Sequence, residues 1–302
     1  MRVVAILATY NEERFIAPCL EALFRQGIRA YLIDNDSTDR TVAIARSYLG
    51  RGLLGVENLP HDGTYRWSSL LQRKEQLAAT IEADWFMHID ADEIYPSPRP
   101  GVTLAEIFGE VEGQGYNAVN FLQFSFIPTT EAPEHDHPQF LETMRWYYPF
   151  MPSFPHLIRA WKRQSVPIEL ARSGGHLVNF PGRNLYPQSL PMRHYHFLSV
   201  PHAIRKYSRR YDPAEMQNGW HGWRATLTPE MIKLPSQAEL STYISDYELD
   251  AANPRTRHCF LVASGMGESQ PRRQRQQRAS QFERITSSRG WRFLRRIWAD
   301  QE

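Results

Sequence analysis

Acidic side chains stand in short clusters that directly follow runs of apolar, β-prone residues. In one cluster, Asp90 and Asp92 come after the apolar run 85–89. Side chains two apart on a strand point the same way, so the two carboxylates can converge on one cation. Mg²⁺ and Mn²⁺ prefer carboxylate oxygens and commonly bridge to substrate phosphates. The pair therefore predicts a cation site, with a turn or a helix cap as the alternative.

A second cluster, from Asp34 to Asp39, follows the apolar residues 31–33. Ser37 and Asp39 have the chemistry of a helix N-cap, which does not account for Asp34. A carboxylate at the end of a strand can accept hydrogen bonds from a base imino group or a ribose hydroxyl. We interpret Asp34 as a candidate nucleoside ligand.

The spacing of apolar residues predicts the elements that position these clusters. Continuous apolar runs predict strands, and apolar residues at helical spacing predict helices. The strands fall near 3–8, 31–33, 53–56 and 85–89, and the helices within 15–24, 42–49 and 70–81. This alternation favours an α/β fold with a mainly parallel, Rossmann-like sheet, whose ligands bind beyond the carboxyl ends of the strands. At that edge we expect the polar segments 9–13, 34–39 and 90–93 to meet.

Three motifs in this order resemble glycosyltransferase family 2. They are Ala8-Thr9-Tyr10-Asn11-Glu12-Glu13, then Leu32-Ile33-Asp34-Asn35-Asp36-Ser37-Thr38-Asp39-Arg40-Thr41, then Ile89-Asp90-Ala91-Asp92-Glu93. The resemblance covers about the first third of the chain. It implies a GT-A fold, a nucleotide-diphosphate sugar donor, a divalent cation (Mn²⁺ or Mg²⁺) at the Asp-x-Asp motif, and a transfer that usually inverts the anomeric carbon.

The resemblance also implies roles for matching positions around the nucleoside. The side chains that would surround it are Thr9, Tyr10, Glu12 and, near the base, Asp34 or Asn35. Asn35 and Asp36 stand where the commonest family pattern has an aspartate and a glycine.

Around the diphosphate, the resemblance implies a basic residue ahead of the Asp-x-Asp motif. Lys74 or the arginine before it would face the diphosphate, with a solvated helix face as the alternative. Asp90 would lie near the ribose and the metal, and Asp92 would bind the metal directly. Some GT-A enzymes complete the metal shell with a late histidine, for which His194 is the candidate. If this segment is extended, His194 and His196 share one face.

An inverting transfer needs a carboxylate or an imidazole that accepts the proton of the acceptor hydroxyl. The Glu-Asp base motif of many family members is missing from this sequence. We expect the base to come from residues 159–176, with Glu169 as the first candidate and His176 as the second. A surface glutamate and a packed histidine are the alternatives.

The later part of the chain has a less regular pattern. Prolines recur between residues 95 and 155, so long regular elements are not expected there apart from a strand over 116–124. The polar stretch 134–137 resembles a ligand cluster, but we predict a mobile solvated loop. The dense aromatic residues over 146–154 could stack on sugar rings, with core packing as the alternative.

The composition separates a body from a basic tail. The 302 residues are 42% hydrophobic and 23% charged, and the two cysteines exclude a disulfide scaffold or a Cys-rich zinc module. Nine arginines stand against three acidic residues from position 272 onward. The amphipathic segment 288–298 is typical of an interfacial membrane helix, with a helix packed on the domain as the alternative. Nucleic acid is disfavoured, because the body carries no matching basic groove.

These patterns predict a GT-A domain over 1–265 and a basic amphipathic tail over 266–302. The domain divides into a nucleotide-binding half, 1–95, and an acceptor-side half, 96–265. No apolar run is long enough to span a bilayer or to form a signal peptide. We therefore expect a cytoplasmic protein, which the tail could hold at the inner face of an anionic membrane.

The predicted function is sugar transfer from a nucleotide-diphosphate sugar to a hydroxyl of a glycan or lipid-linked acceptor, in the synthesis of a cell-surface polysaccharide or a glycolipid. A sugar-phosphate nucleotidyltransferase is one alternative. Its Gly-rich, Arg-containing signature is missing after the first predicted strand, where residues 9–13 stand instead. A non-catalytic protein of the same fold that binds glycans or membranes is the other alternative.

Overall fold

The structure, a computed structural model, describes residues 1–207, 211–212, 224 and 226–261. They belong to a compact unit of residues Met1–Val262, and a second unit comprises Ala263–Glu302. The basic tail predicted over 266–302, with its amphipathic segment 288–298, lies outside the described residues.

A single mixed sheet runs through the described unit, with helices on its faces. Its strands are β1 (Val3–Thr9), β2 (Ile28–Asp34), β3 (Leu53–Asn58), β4 (Trp85–Asp90), β5 (Glu93–Ile94), β6 (Ala118–Phe126), β7 (Trp146–Phe150), β8 (Leu157–Lys162), β9 (Leu190–Tyr195) and β10 (Ser241–Thr242). The helices are α1 (Ile16–Arg25), α2 (Thr41–Arg46), α3 (Trp67–Thr80), α4 (Leu104–Gly113), α5 (Phe140–Thr143) and α6 (Val200–Tyr207). Among the described residues, no helix combines the length and the apolar character needed to cross a membrane.

The first four strands form the parallel part of the sheet. The strand order is β10-β7-β6-β8-β4-β1-β2-β3, and β5 pairs with β9, which itself pairs with β6. β1 is parallel to both β2 and β4, and β2 is parallel to β3, whereas β8 runs antiparallel to β4 and β6. The predicted α/β fold class, with a mainly parallel Rossmann-like sheet and flanking helices, is therefore confirmed.

β1 lies at the centre of this parallel part and is covered on both faces. Each residue from Val3 to Leu7 is at most 1% exposed. Alternate side chains enter different cores: Ala5 packs in the cluster that contains α1 and α4, and Ile6 packs in the cluster that contains α3. A strand buried on both faces needs apolar residues at every position, which is why the run is continuous rather than alternating.

The register of the parallel strands brings the polar segments to one edge. Thr9 pairs with Asp34 across β1 and β2, and Ala8 pairs with Asp90 across β1 and β4. The three strands therefore end at the same level, as the alternation of strands and helices predicted.

Helix α4 corrects one expectation about the proline-rich region. It spans Leu104–Gly113 and begins with a capping box in which Thr103 and Glu106 exchange side-chain and backbone hydrogen bonds. No proline occurs between residues 101 and 127, and both α4 and β6 lie within that interval. A long helix was therefore compatible with the sequence.

The stretch 134–137 corrects a second expectation. His135 is 2% exposed, and its ring nitrogens lie 2.9 Å from Thr143 Oγ1 and 3.0 Å from the Ala132 carbonyl oxygen. Asp136 accepts hydrogen bonds from Arg14 at 2.9 Å and from Arg205 at 2.6 Å. The prediction of a solvated loop is wrong, because these contacts anchor the segment to α5, α6 and the segment before α1.

Within the aromatic segment 146–154, the buried rings of β7 pack in the core, which is the alternative to stacking on sugar rings. Tyr147, Tyr148 and Phe150 are each less than 9% exposed. Tyr147 packs against Phe126 of the neighbouring strand, with 5.3 Å between the ring centroids. These rings therefore support the antiparallel part of the sheet.

Candidate active site

A cavity of about 710 Å³ opens beyond the carboxyl ends of β1 and β4. Its volume lies within the range of small-molecule sites, about 300–1,000 Å³. The predicted site residues that line it are Thr9, Tyr10, Glu12, Asp90, Asp92, His176 and His194. Asp34, Asn35, Lys74 and Glu169 are not among the residues that line it.

Hydrogen bonds between loops fix the floor of the cavity. The Asn11 amide oxygen accepts the backbone N–H of Thr38 at 2.7 Å, and the backbone N–H of Glu12 donates to Thr41 Oγ1 at 2.8 Å. Asp39 accepts the backbone N–H groups of Glu13 and Thr41 at 3.1 and 2.9 Å. Asp39 lies one residue before Arg40, the N-cap of α2, so it is not the cap that the sequence predicted, but its carboxylate connects the first loop to the second.

Asp34 and Asn35 lie behind this floor. Asp34 Oδ2 accepts the backbone N–H of Ser37 at 2.9 Å, and Thr9 Oγ1 lies 3.5 Å from its other oxygen. Asn35 Nδ2 donates to the Leu59 carbonyl oxygen at 2.7 Å. Both side chains are buried, at 4% and 5% exposure, and they hold the turn that follows β2.

Asp36 takes the backbone conformation that a glycine would favour. Its φ is 60°, in the left-handed region. Its carboxylate accepts hydrogen bonds from Asn58 Nδ2 and from the backbone N–H of His61, both at 2.8 Å. These bonds compensate for the strain, so an aspartate is tolerated at a position where the family commonly has glycine.

The second aspartate of the Asp-x-Asp motif is paired with cationic and imidazole groups. Asp92 Oδ2 accepts a hydrogen bond from Lys206 Nζ at 2.7 Å, and His194 Nε2 lies 3.3 Å from the same oxygen. β5 and β9 bring the histidine close, because Glu93 is the register partner of His194. Burial acts to raise the pKa of Asp92, but Lys206 and His194 hold it well below its usual range.

The first aspartate of the motif belongs to a buried ion-pair network. Arg159 Nη1 donates to both Glu93 carboxylate oxygens at 2.6 Å and lies 3.3 Å from Asp90 Oδ2. Glu93 Oε2 also accepts the Tyr95 hydroxyl at 2.7 Å and the backbone N–H of Asp90 at 3.0 Å. The Glu93 side chain is fully buried, and burial raises its pKa. The network fixes the direction in which Asp90 faces the cavity.

Sequence reasoning missed Arg159 and Glu93 as site residues. Arg159 stands in the otherwise apolar run Leu157-Ile158-Arg159-Ala160-Trp161. A cation inside a buried strand requires a buried anion, so this position carried a usable signal.

The predicted cation ligands Asp90, Asp92 and His194 do not fit a metal ion in this arrangement. The carboxylate of Asp92 already accepts the Lys206 ammonium, and Asp90 is directed to Arg159. Within the part of the chain that the structure describes, no group of three or more His, Cys, Asp or Glu side chains is arranged to hold a metal ion.

Several imidazoles from the later part of the chain line the cavity. They belong to His156, His176, His194, His196 and His258. The rings of His194 and His196 stack with centroids 3.8 Å apart, so the prediction that they share one face is confirmed. Burial, with further contributions from nearby cations and histidines, lowers the pKa of His156 to about 2 and those of His176 and His258 to about 3. These three rings are therefore neutral at pH 7.

The backbone just before His176 lies close to the His88 side chain, and this places His176 at the cavity. Gly175, which precedes it, has a φ of +84°, and a Cβ there would lie 2.7 Å from His88 Nε2. The carbonyl oxygen of Gly174 accepts the Trp67 indole N–H at 2.9 Å. The second base candidate therefore stands in the cavity, with its ring 5.2 Å from that of His156.

Glu169, the first base candidate, is not brought to the cavity. It is exposed, whereas its neighbours Ile168 and Leu170 are buried. Its backbone pairs with Asn179 in both directions, at 2.8 and 2.9 Å. This extended pairing turns the glutamate away from the core. Glu169 is therefore a surface residue, which is the alternative that the sequence left open.

Lys74 is packed against β4 instead of facing the cavity or the solvent. Its Nζ donates to the Ile89 carbonyl oxygen at 2.9 Å and lies 2.7 Å from His88 Nδ1. The residue is 0% exposed, and burial lowers its pKa to about 8. The solvated-face alternative is wrong for Lys74, and the preceding Arg73 pairs with Glu57 at 2.7 Å.

Residues 4–110 match the sequence model of glycosyl transferase family 2, which confirms the resemblance of the three motifs. The matched segment covers about a third of the chain and contains all three motifs, the Asp-x-Asp motif included. A search of curated proteins returned no match.

Three solved structures are similar to this chain at low identity and low TM-score. S. aureus TarS is 13% identical over 72% of this chain and 40% of its own, with a TM-score of 0.39. TarS 1–349 in complex with UDP-GlcNAc is 12% identical over 65% and 58%, with a TM-score of 0.38. Glucosyl-3-phosphoglycerate synthase from Mycobacterium tuberculosis, in complex with Mn²⁺, UDP and phosphoglyceric acid, is 20% identical over 41% and 43%, with a TM-score of 0.27. The chain covers less than two thirds of each of these three structures.

Proposed function

We propose that this protein transfers a sugar from a nucleoside-diphosphate sugar to an acceptor hydroxyl. The observation that carries the proposal is the position of the cavity. It lies at the carboxyl ends of β1 and β4, which belong to the segment that matches family 2, and Thr9, Glu12 and Asp90 of that segment line it. Parallel α/β sheets bind their ligands at this edge.

In the proposed complex, the nucleoside lies against the first loop. Thr9, Tyr10 and Glu12 would contact it, because they line the cavity where β1 ends. Asp34 and Asn35 would act from behind the loops, by holding the turn after β2 and by contact with Thr9. The ribose and the diphosphate would then extend toward Asp90.

The proposed reaction is a single displacement at the anomeric carbon. The acceptor oxygen forms a bond to C1 as the bond between C1 and the diphosphate oxygen breaks. The electron pair of the broken bond stays on the diphosphate, and the acceptor proton passes to a base. Attack from the face opposite the leaving group would invert the configuration.

His176 is the base that we propose, because its neutral imidazole stands in the cavity. Burial lowers its pKa to about 3, with Arg159 as a further cause, so its ring is neutral at pH 7 but a weak base in the absence of a ligand. The negative charge of a bound diphosphate nearby would act to raise that pKa and strengthen the base.

We expect His176→Ala to reduce the transfer rate about 100-fold or more, as for loss of a general base. The Kd of the nucleotide should change by less than about threefold, because the base contacts the acceptor and not the nucleotide. His135→Ala is the matched control, because His135 is 2% exposed and does not line the cavity. An unchanged kcat in His176→Ala would remove the histidine from the mechanism.

The acceptor side of the cavity belongs to the later part of the chain. Its neutral imidazoles suit the hydroxyls of a sugar ring, and the rings of Tyr65 and Trp67, which line the cavity from the region where α3 begins, suit the apolar faces of the sugar. We propose a glycan or lipid-linked acceptor, with a role in the synthesis of a cell-surface polysaccharide or glycolipid. A cytoplasmic location and contact of residues 288–298 with an anionic membrane stay predictions.

The first experiment is thermal unfolding of the protein with UDP, GDP, CDP and dTDP, each with Mn²⁺ and with EDTA. A ligand at 100 times its Kd adds about 2.7 kcal/mol of stability, which raises Tm by several degrees. We expect a shift with one nucleotide, followed by sugar release or transfer from the corresponding donor. No shift with any nucleotide would contradict the proposal. A shift without turnover would favour the non-catalytic alternative.

A further inference from the structure

Lys206 binds the carboxylate of Asp92, which the sequence predicted to be a metal ligand. Its Nζ donates to Asp92 Oδ2 at 2.7 Å and to Glu12 Oε2 at 3.3 Å. The Lys206 and Asp92 side chains are only 7% and 9% exposed. A divalent cation on Asp92 would share its ligand with an ammonium group, and two positive charges repel strongly where water is excluded.

Helix α6 holds Lys206 firmly in this position. His202 precedes it by one helical turn, and the His202 ring packs on Phe15 with 5.6 Å between centroids. Lys206 Nζ lies 4.5 Å from the centroid of the same Phe15 ring. Ser199 Oγ accepts the backbone N–H of His202 at 3.2 Å in the first turn of the helix. These contacts therefore fix the position of the Lys206 ammonium group in the site.

The charges that line the cavity suit an anionic ligand. The described lining residues include four cations, Arg159, Arg172, Lys206 and Arg224, and three carboxylates, Glu12, Asp90 and Asp92. Arg159 is paired with the buried Glu93, so the cationic N–H donors that a diphosphate reaches come from the other three cations. Charge-assisted N–H donors of this kind bind phosphate oxygens well without a metal bridge.

We propose that Lys206 replaces the divalent cation, so that the sugar donor binds and the diphosphate departs without Mg²⁺ or Mn²⁺. This inference rests on the proposed function. An ammonium group has three N–H donors, and the described carboxylates Asp92 and Glu12 accept two of them. The third is the donor that we assign to a phosphate oxygen.

Lys206 keeps its proton throughout the transfer. The electron pair of the broken bond stays on the phosphate oxygen, and the ammonium group stabilises the charge that develops there. Asp92 is then a positioning residue, because it holds the ammonium and does not contact the diphosphate through a metal.

Isothermal titration with the nucleoside diphosphate that gives the largest thermal shift tests this inference. We expect the wild-type Kd in EDTA to lie within about threefold of its value in Mn²⁺. Lys206→Met should weaken binding in EDTA at least about tenfold. Adding Mn²⁺ should partly restore the binding of Lys206→Met, because the Asp92 carboxylate then no longer accepts the ammonium group.

Two further variants separate this role from a structural one. Arg205→Met is the matched control, because Arg205 is the neighbouring cation on α6, pairs with Asp136 and does not line the cavity. Its nucleotide binding should equal that of the wild type. Lys206→Arg keeps the charge and should retain binding in EDTA, which tests the inference even if Lys206→Met does not fold.

The outcomes distinguish this inference from the proposed function. Wild-type binding that requires Mn²⁺ and is lost in EDTA would overturn the role of Lys206 and leave the glycosyltransferase proposal standing. Equal binding by wild type and folded Lys206→Met in EDTA would also overturn it. Absence of nucleotide binding with and without Mn²⁺ would instead count against the proposed function.

Discussion

Replacing Asp92 with asparagine is expected to reduce sugar transfer at least about 100-fold and to lower the free energy of unfolding by about 3 kcal/mol. Removing one preorganised electrostatic group from an active site reduces kcat by about 10²–10³-fold. Asp92→Asn also leaves the buried Lys206 ammonium without the carboxylate that accepts it at 2.7 Å. Breaking one side of a buried ion pair destabilises by about 3–5 kcal/mol, and Glu12 limits the loss here to the lower figure.

A double variant separates the two effects of Asp92→Asn. Asp92→Asn with Lys206→Met removes both members of the buried pair, so it should recover most of the stability that the single variant loses. Its transfer rate should stay low, because neither group is present to stabilise the diphosphate. Denaturant unfolding and steady-state kinetics on the same preparations measure the two quantities.

Asp136→Asn is the control for the loss of a paired carboxylate. Asp136 pairs with Arg14 and Arg205, and it does not line the cavity. Its transfer rate should equal that of the wild type. Full activity in a folded Asp92→Asn protein would contradict the place of Asp92 in the site.

The parallel part of the fold could be predicted because its signals are local. The continuous apolar run of β1 requires burial on both faces, and the motifs at Thr9, Asp34 and Asp90 all follow strands. Once those strands are parallel, their register brings the three motifs to one level. No distant contact is needed to reach that conclusion.

The composition of the site depends more on contacts between distant residues. Lys206 contacts Asp92, which stands 114 positions earlier in the sequence. Lys206 lies on the short helix α6, whose pattern predicts a polar face but not this contact. Lys74 belongs to a helix that looked partly solvated, yet its position against β4 decides its burial. Packing of the later elements on the sheet determines these contacts, and neither spacing nor residue type encodes it locally.

The base assignment shows the same limit in a smaller segment. Glu169 and His176 are seven positions apart, and both had suitable chemistry. The backbone pairing of Glu169 with Asn179 turns the glutamate outward, while the approach of Gly175 to His88 brings His176 inward. That choice depends on tertiary packing, which residue type does not reveal.

Acid is expected to unfold the protein near pH 5, with a steep dependence on pH. Six histidines have pKa values far below the ordinary value, mainly because burial disfavours the charged imidazole. Burial lowers the pKa of His156 to about 2 and those of His176, His202 and His258 to about 3, and it also lowers the pKa values of His88 and His196 well below the ordinary value. In the unfolded chain, each binds a proton near pH 6.5. In the folded protein, each stays neutral until the pH is near its lowered pKa.

The sign of the effect follows from the difference in bound protons. Above about pH 7 both states have neutral histidines, and these residues add no pH dependence. Between about pH 6 and pH 3 the unfolded chain binds up to six more protons, so the free energy of unfolding falls as the pH falls. Each extra proton contributes about 1.4 kcal/mol per pH unit, which gives roughly 8 kcal/mol per pH unit for the six. Total domain stabilities are about 5–15 kcal/mol, so this slope is sufficient to unfold the protein near pH 5.

Denaturant unfolding at a series of pH values from 8 to 5 measures this slope. His202→Gln should reduce it by about one proton, or about 1.4 kcal/mol per pH unit, because glutamine does not titrate. His202 is suited to this control since it packs on Phe15 and does not line the cavity. Asp92 contributes separately: its pKa is held below the ordinary carboxyl value, so its stabilising effect is lost only at lower pH. A free energy of unfolding that stays constant from pH 7 to pH 5 would mean that the histidines gain their protons in the folded state, and the cavity would then carry positive charge at mildly acidic pH.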